Sequence, residues 1–323
     1  MKSVRLFSIL LLAGAMLVSC SSKNTGGKTQ DSTNLKGEIS LSGAFALYPL
    51  AVEWAGEFQQ MHPGVKIDIS AGGAGKGITD ALSGMVDLGM VSRELYQEEI
   101  DKGAVGIAVA KDAVVATINA KNPALKEILA HGLTPEMATR IWITGDVKTW
   151  GDLLGINDQT PIHVYTRSDA CGAAETWANW FGHKQEDLKG TAVYADPGLA
   201  NAVQKDIYGI GFNNIGYAYD NETHKYLTDL RVVPVDNNKN GQITSDEYFY
   251  DVKDSVTKAI GEGRYPSPPA RDLYLVSKGK PSNPVVVEFL KYILSKGQDK
   301  NESVGYIRMS ADKIKAGMEK VGL

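Results

Sequence analysis

Residues 105–120 read "VGIAVAKDAVVATINA". The run is longer than an ordinary strand and rich in β-branched residues, which is the pattern of a strand passing from one lobe of a protein to another. A second extended segment, "PSPPARDLYLVSKG" at 266–279, is stiffened by prolines and reads as the return crossing. Outward from these two segments the chain repeats strand, turn and helix. "GEISLSGA" leads into "YPLAVEWAGEFQQMHPG", where Leu50, Trp54 and Phe58 stand at helical spacing. "VKIDISAGGAGKG" is an alternating strand that ends in glycines before the short helix "ITDALSGM", and "VDLGMVSREL" is a further strand. "TPEMATRIWITG" is helical, with Thr134 as N-cap and Pro135 in the first turn. The expected fold class is therefore α/β in two lobes, with crossings near residues 111 and 267.

The 323 residues are 43% hydrophobic and 22% charged, with a formal charge of −4, as in a globular protein long enough for two lobes. No basic tract stands out, so neither nucleic acid nor an anionic membrane surface is expected as a partner. The N-terminus "MKSVRLFSILLLAGAMLVSC" has a basic start and an apolar run too short to span a bilayer comfortably. Its end, Leu17-Val18-Ser19-Cys20, resembles a bacterial lipobox. That resemblance implies a signal peptide over 1–19, lipid on the Cys20 sulfur and a flexible polar tether over 20–36. The expected product is an exported lipoprotein anchored to the cell envelope. The chain has two cysteines, so Cys171 is left without an intramolecular partner.

One short segment matches a metal-ligand pattern. "DNNKNGQITSDE", 236–247, fits the twelve-residue calcium loop of an EF-hand, with Asp236, Asn238 and Asn240 at positions 1, 3 and 5 and Gly241 at the bend. Gln242 offers its carbonyl, Thr244 binds directly or through water, and Glu247 closes the loop with both oxygens. The strand-like "LRVVPV" precedes it, so the loop is solitary. With two full charges among the regular ligand positions, the expected affinity for a structural Ca²⁺ is weak, roughly 10⁻⁴ to 10⁻³ M.

Two glycine-rich turns suit an anion. "SAGGAGKGITD" is not a Walker loop, because Gly77 follows Lys76 and Ser70 stands where the first glycine belongs. Its glycines let backbone N–H groups approach an anion at a helix start, although they equally suit a plain turn. In "TRSDACGAAETW", 166–177, Ser168 or Asp169 is expected to cap a helix starting near Ala170, small residues leave the first-turn N–H groups open, and Arg167 supplies a fork for an oxyanion. Asp169 is placed to orient Arg167. A Cys171 nucleophile needs a histidine base, and none of the five histidines forms a recognisable motif with it.

Taken in order, "SGAFALYPLAVEWAGEF", "GGAGKGITDALSGMVDLGMVSREL", "LTPEMATRIWITGDVKTWGDL", "TRSDACGAAETW", "GIGFNNIGYAYD" and "FLKYILSKGQDKNESVGYI" resemble the phosphate-binding proteins of bacterial ABC importers, from about residue 37 to the end. The resemblance implies a periplasmic-binding-protein-like fold of type II with two hinge crossings. It places one lobe over 37–111 and 268–323 and the other, carrying the calcium-type loop, over 112–267. It also implies a non-enzymatic monomer that captures inorganic phosphate by lobe closure and passes it to a membrane permease. Arg167 and Asp169 stand at the family's ligand-binding arginine and its supporting aspartate, and Ser92 matches. Departures are Ala170-Cys171-Gly172-Ala173 for a hydroxyl-bearing turn, Leu47 for a hydroxyl before the aromatic Tyr48, Ala74 for a serine, and Arg93 for an aspartate. The last can accept the proton of hydrogen phosphate and so helps exclude sulfate. Backbone N–H groups of Tyr48, Gly75, Gly172 and Ala173 are expected to survive these changes, with Ser42, Lys76 and Arg93 as replacement donors. Sulfate, molybdate or tungstate on the same scaffold, a Cys171-dependent enzyme, and a calcium-dependent surface interaction protein are the alternatives.

Overall fold

The computed structural model describes residues 35–323. The leader, Cys20 and the tether up to residue 34 lie outside the described residues. The strands are β1 (Lys36–Gly43), β2 (Gly64–Ala71), β3 (Leu88–Val91), β4 (Ala104–Asn119), β5 (His163–Arg167), β6 (Thr191–Val193), β7 (Gly209–Asn214), β8 (Leu230–Val233) and β9 (Ala270–Lys278). They join in the order β2-β1-β3-β9-β4-β7-β5-β6, with β8 also paired to β4. Pairing is parallel at both ends of this path, β1 with β2 and β3, and β5 with β6 and β7. It is antiparallel in the middle, where β9 lies against β3 and β4, and β4 against β7 and β8.

The long strand read from the sequence is β4, and it belongs to more than one core. Ile107 and Val109 pack with Ile39, Leu50, Trp54, Phe58, Met90, Leu275 and Phe289. Farther along, side chains alternate between faces as a strand requires. Val114, Ala116 and Ile118 join Trp142, Trp177 and Phe212, while Ala113 and Val115 join Tyr219, Tyr250 and Val256. The return strand β9 does the same, with Ala270 in that last cluster and Leu273 and Leu275 in the first. Burial on both faces explains why the run is largely apolar and rich in β-branched residues instead of alternating regularly with polar ones.

Three helices start near one another because their buried faces are fixed to these cores. The helix Tyr48–Met61 carries Pro49 in its first turn and buries Leu50, Trp54 and Phe58. The helix Ala74–Ser83 begins after Gly73, whose φ of 86° is left-handed, and ends on left-handed Gly84. The helix Gly172–Trp180 is anchored by Trp177, which stacks on Phe212 with centroids 5.8 Å apart. Thr134 caps the helix Pro135–Thr139 through the Met137 N–H, as its sequence predicts. No helix among the described residues is long and apolar enough to cross a membrane.

Candidate functional site

Arg167 ends β5, and its side chain is fully buried. Asp169 holds it with both oxygens: Nε donates to Oδ1 at 2.8 Å and Nη2 to Oδ2 at 2.7 Å. On the other side, Nη1 donates to Asp196 Oδ2 at 2.7 Å. Burial works against the guanidinium charge, but the two carboxylates more than reverse it and hold the group above its ordinary value. Three of the five N–H bonds are thereby used, leaving one on each terminal nitrogen for a further acceptor. Two carboxylates around one guanidinium make this cluster net negative.

The turn after Arg167 meets the glycine turn at the start of the helix Ala74–Ser83. Gly75 donates its N–H to Ala170 O at 3.2 Å, and a Cβ added at Gly73 would lie 3.1 Å from Asp169 Oδ2. Ser92, at the end of β3, is buried and sits so close to Gly172 that no side chain would fit there. Arg167, Asp169, Gly75, Ser92 and Gly172 are thus brought together, with Ala173 buried in the first turn.

The Gly75 N–H predicted as a ligand donor is thereby taken by Ala170 O, and the other residues predicted for the site also have protein partners. Ser42 Oγ donates to Asp80 at 2.7 Å, and Lys76 Nζ pairs with the same carboxylate. The Tyr48 N–H donates to Phe45 O at 3.3 Å, closing the turn before its helix. Arg93 grips Glu99 with both terminal nitrogens and lies over the Tyr96 ring. It faces a cavity of about 310 Å³ shared with Glu175, Arg271 and Lys313, instead of Arg167.

Capping also differs from expectation. Neither Ser168 nor Asp169 caps the helix Gly172–Trp180, because Asp169 is committed to Arg167. Cys171 is the N-cap, its sulfur accepting the Ala174 N–H at 3.4 Å. Burial pushes its thiol up to about 12, despite the opposing pull of Arg167. A nucleophile needs the reverse.

Three neighbours were missed from sequence. Phe45 places its ring 5.9 Å from the Arg167 guanidinium carbon. Tyr217 Oη donates to Phe45 O at 3.2 Å. Asp196 starts the helix Asp196–Lys205; the signal available for it was an Asp-Pro pair at a helix start, which says nothing of a partner 29 residues away.

The calcium-type loop is folded around its own carboxylates. Asp236 accepts the N–H groups of Asn240 and Gly241 at 3.2 and 2.8 Å. Glu247 reaches back to accept those of Asn237 and Asn238 at 2.8 and 3.0 Å, and the Thr244 hydroxyl at 2.8 Å. Both carboxylates are buried. Burial opposes the Glu247 charge, but these donors hold its carboxyl below the usual range. Among the described residues, no three His, Cys, Asp or Glu side chains form a metal-sized cluster, and the Asn238 and Asn240 side-chain oxygens accept the N–H groups of Asn240 and Gln242 at 3.0 and 2.9 Å.

This α/β architecture with glycine-rich helix starts has counterparts among known proteins. A profile described as a PBP superfamily domain matches residues 25–296. The chain belongs to the PBP superfamily. Within it, the phosphate-binding protein PstS of Pseudomonas aeruginosa is 27% identical over 91% of this chain and 90% of its own length. PstS of Staphylococcus epidermidis is 24% identical over 95% and 89%. Solved structures agree on the PBP fold. A Clostridium perfringens protein crystallised with bound phosphate, described as a phosphate ABC transporter substrate-binding protein, has a TM-score of 0.68 at 24% identity, covering 85% of this chain and all (100%) of its own. An ABC-type phosphate transport receptor from Vibrio cholerae gives 0.62 at 20% identity, over 84% and 100%.

Proposed function

We propose that this PBP-superfamily member captures inorganic phosphate, or a close oxyanion, outside the cytoplasm and delivers it to an ABC permease without making or breaking a bond. The observation that carries the reading is the meeting of Arg167, with two N–H bonds to spare, and the glycine-rich starts of the helices Ala74–Ser83 and Gly172–Trp180. Helix N-termini carry roughly half a positive charge each and suit an anion stripped of water. The names of the relatives support phosphate over other oxyanions. Because Asp169 and Asp196 outweigh Arg167 in charge, selectivity rests on directed N–H bonds instead of net attraction.

Capture is by closure of two lobes, 37–111 with 268–323 against 112–267, about β4 and β9. Cys20 carries the lipid that keeps the monomer at the envelope, and the loop 236–247 holds a structural Ca²⁺ through Asp236, Asn238, Asn240, Gln242 and Glu247. A Cys171-dependent enzyme is disfavoured by the buried, weakly acidic thiol.

The test is calorimetric titration of the purified chain with phosphate, with excess sulfate as competitor. Tight binding that sulfate leaves unchanged supports the reading. Folded protein that gives no heat with phosphate but binds sulfate, molybdate or tungstate moves the ligand; silence with all of them removes the function.

A further inference from the structure

The buried polar groups do not stop at Arg167. Asp196 Oδ1 accepts Asn214 Nδ2 at 2.8 Å, and Asn214 Oδ1 accepts Arg271 Nη2. Arg271 Nε donates to Asp112 Oδ1 at 3.0 Å, and its Nη1 donates to Thr176 Oγ1 at 3.2 Å. Asp112 lies on β4 and Arg271 on β9, paired strands that each pass through more than one hydrophobic cluster. Every member of the row Asp169, Arg167, Asp196, Asn214, Arg271, Asp112 is buried or nearly so.

The row alternates in sign, and its amide has one workable orientation. Turning Asn214 over would set its oxygen against the Asp196 carboxylate and its NH₂ against the Arg271 guanidinium, two repulsive contacts in a medium of low dielectric. Arg271 therefore fixes Asn214, Asn214 fixes Asp196, and Asp196 fixes the Nη1 end of Arg167. The second contact of Arg271, to Thr176, holds the first turns of the helix Gly172–Trp180, whose start faces Ser92. A lysine at 271 would keep the charge opposite Asp112 but could not reach three acceptors as a planar fork.

We infer that Arg271, on the crossing strand β9, is a positioning residue of the anion site, acting on Arg167 through Asn214 and Asp196. It follows that the strands about which the lobes move also set the aim of the ligand-binding arginine. Capture and closure are one event instead of two. The inference rests on the anion-binding reading above.

A double-mutant cycle tests it, with inorganic phosphate as probe and the fold checked by near-ultraviolet circular dichroism. Arg271→Lys weakens phosphate binding tenfold or more in the otherwise unchanged chain. In the Asp196→Asn background, where the row is already cut, the same change weakens it less than threefold. An effect carried only by packing between β4 and β9 would be the same in both backgrounds, and that additive result overturns the inference. Should Arg271→Lys fail to fold, Asn214→Ser takes its place in the same cycle, since it breaks the row while leaving the Arg271–Asp112 pair. If the unsubstituted chain binds phosphate and the cycle is additive, only this inference is lost. If it binds no oxyanion, the functional reading falls as well.

Discussion

Gly75 donates its backbone N–H to Ala170 O at 3.2 Å, joining the start of one helix to the turn that leads into another. The contact depends on the absence of a side chain, because a Cβ at position 75 would lie 2.9 Å from Ala170 Cβ and 3.2 Å from Ala170 O. Gly75→Ala therefore pushes the two turns apart. The clash and the lost Gly75 N–H contact act on the folded state, so thermal stability is expected to fall by about 1 to 3 kcal/mol. Phosphate affinity is expected to fall tenfold or more, and small-angle scattering of the phosphate-saturated protein to report a larger radius of gyration. Calorimetry and scattering on the same sample check both.

Cys171 makes the opposite kind of prediction, one of little effect. With its thiol pushed up to about 12 by burial, the thiolate is about one part in ten thousand at pH 8. Iodoacetamide is expected to spare the folded chain at pH 8 and to label it in denaturant, as intact-mass spectrometry would show. Cys171→Ser keeps an N-cap acceptor for the Ala174 N–H and is expected to leave phosphate affinity within threefold. A larger loss would give the sulfur a role in the site.

How much of this was legible beforehand depended on the range of the interaction. β4 and β9 could be read as crossings because a strand buried on both faces writes its environment into its own residues, as Val114, Val115 and Ile118 do. Arg167 beside Asp169 was legible because the pair is two residues apart. Asp196, Asn214 and Arg271 were not, since their meeting depends on how β5, β7 and β9 are ordered across the sheet. Lys76 and Arg93 misled for the same reason in reverse. Each is a free cation in the sequence, but Asp80 and Glu99, four and six residues on, fold back to take them.

Lys253 gives a pH dependence. It is fully buried, with Nζ donating to Asn221 Oδ1 and Val304 O at 2.8 Å each. Burial pushes it down to about 8 from 10.5, against the pull of Asp254, Asp112 and Asp220. Between those values the unfolded chain binds the proton and the folded chain does not, so this group makes stability rise with pH. Below about 8 both states are protonated and the slope vanishes. From pH 7 to 9.5 the gain is about 2 kcal/mol. Buried tyrosines titrate in the other direction, but they are common to both proteins when Lys253→Met is the reference. Urea unfolding at the two pH values is expected to show the gain in the native chain and its absence in Lys253→Met.

For the loop 236–247, calcium at ten times its dissociation constant would stabilise the folded chain by about 1.4 kcal/mol. That corresponds to a rise of roughly two to four degrees in melting temperature for a chain of this size. Glu247→Gln removes one of two charged ligands while keeping an oxygen, and is expected to abolish the rise. Magnesium at the same concentration is expected to do little, since it demands a stricter octahedron. Melts in chelator, calcium and magnesium distinguish a metal site from an asparagine-rich turn, for which all three coincide.

The strongest test of the central cluster removes its cation. Arg167→Met leaves a side chain of comparable length but strands Asp169 and Asp196, both nearly inaccessible, without a counter-charge. Breaking a buried pair in this way costs about 3 to 5 kcal/mol, so the variant is expected to melt well below the parent at pH 7. Adding Asp196→Asn to Arg167→Met removes one stranded charge and is expected to restore part of the loss at pH 7, although Arg167 itself is gone. If the single variant is as stable as the parent at pH 7, Arg167 is not the counter-charge of this cluster and the net-negative account of the site is wrong. On the proposed reading, phosphate binding is expected to be lost in both variants, because neither carries the guanidinium with its two unused N–H bonds.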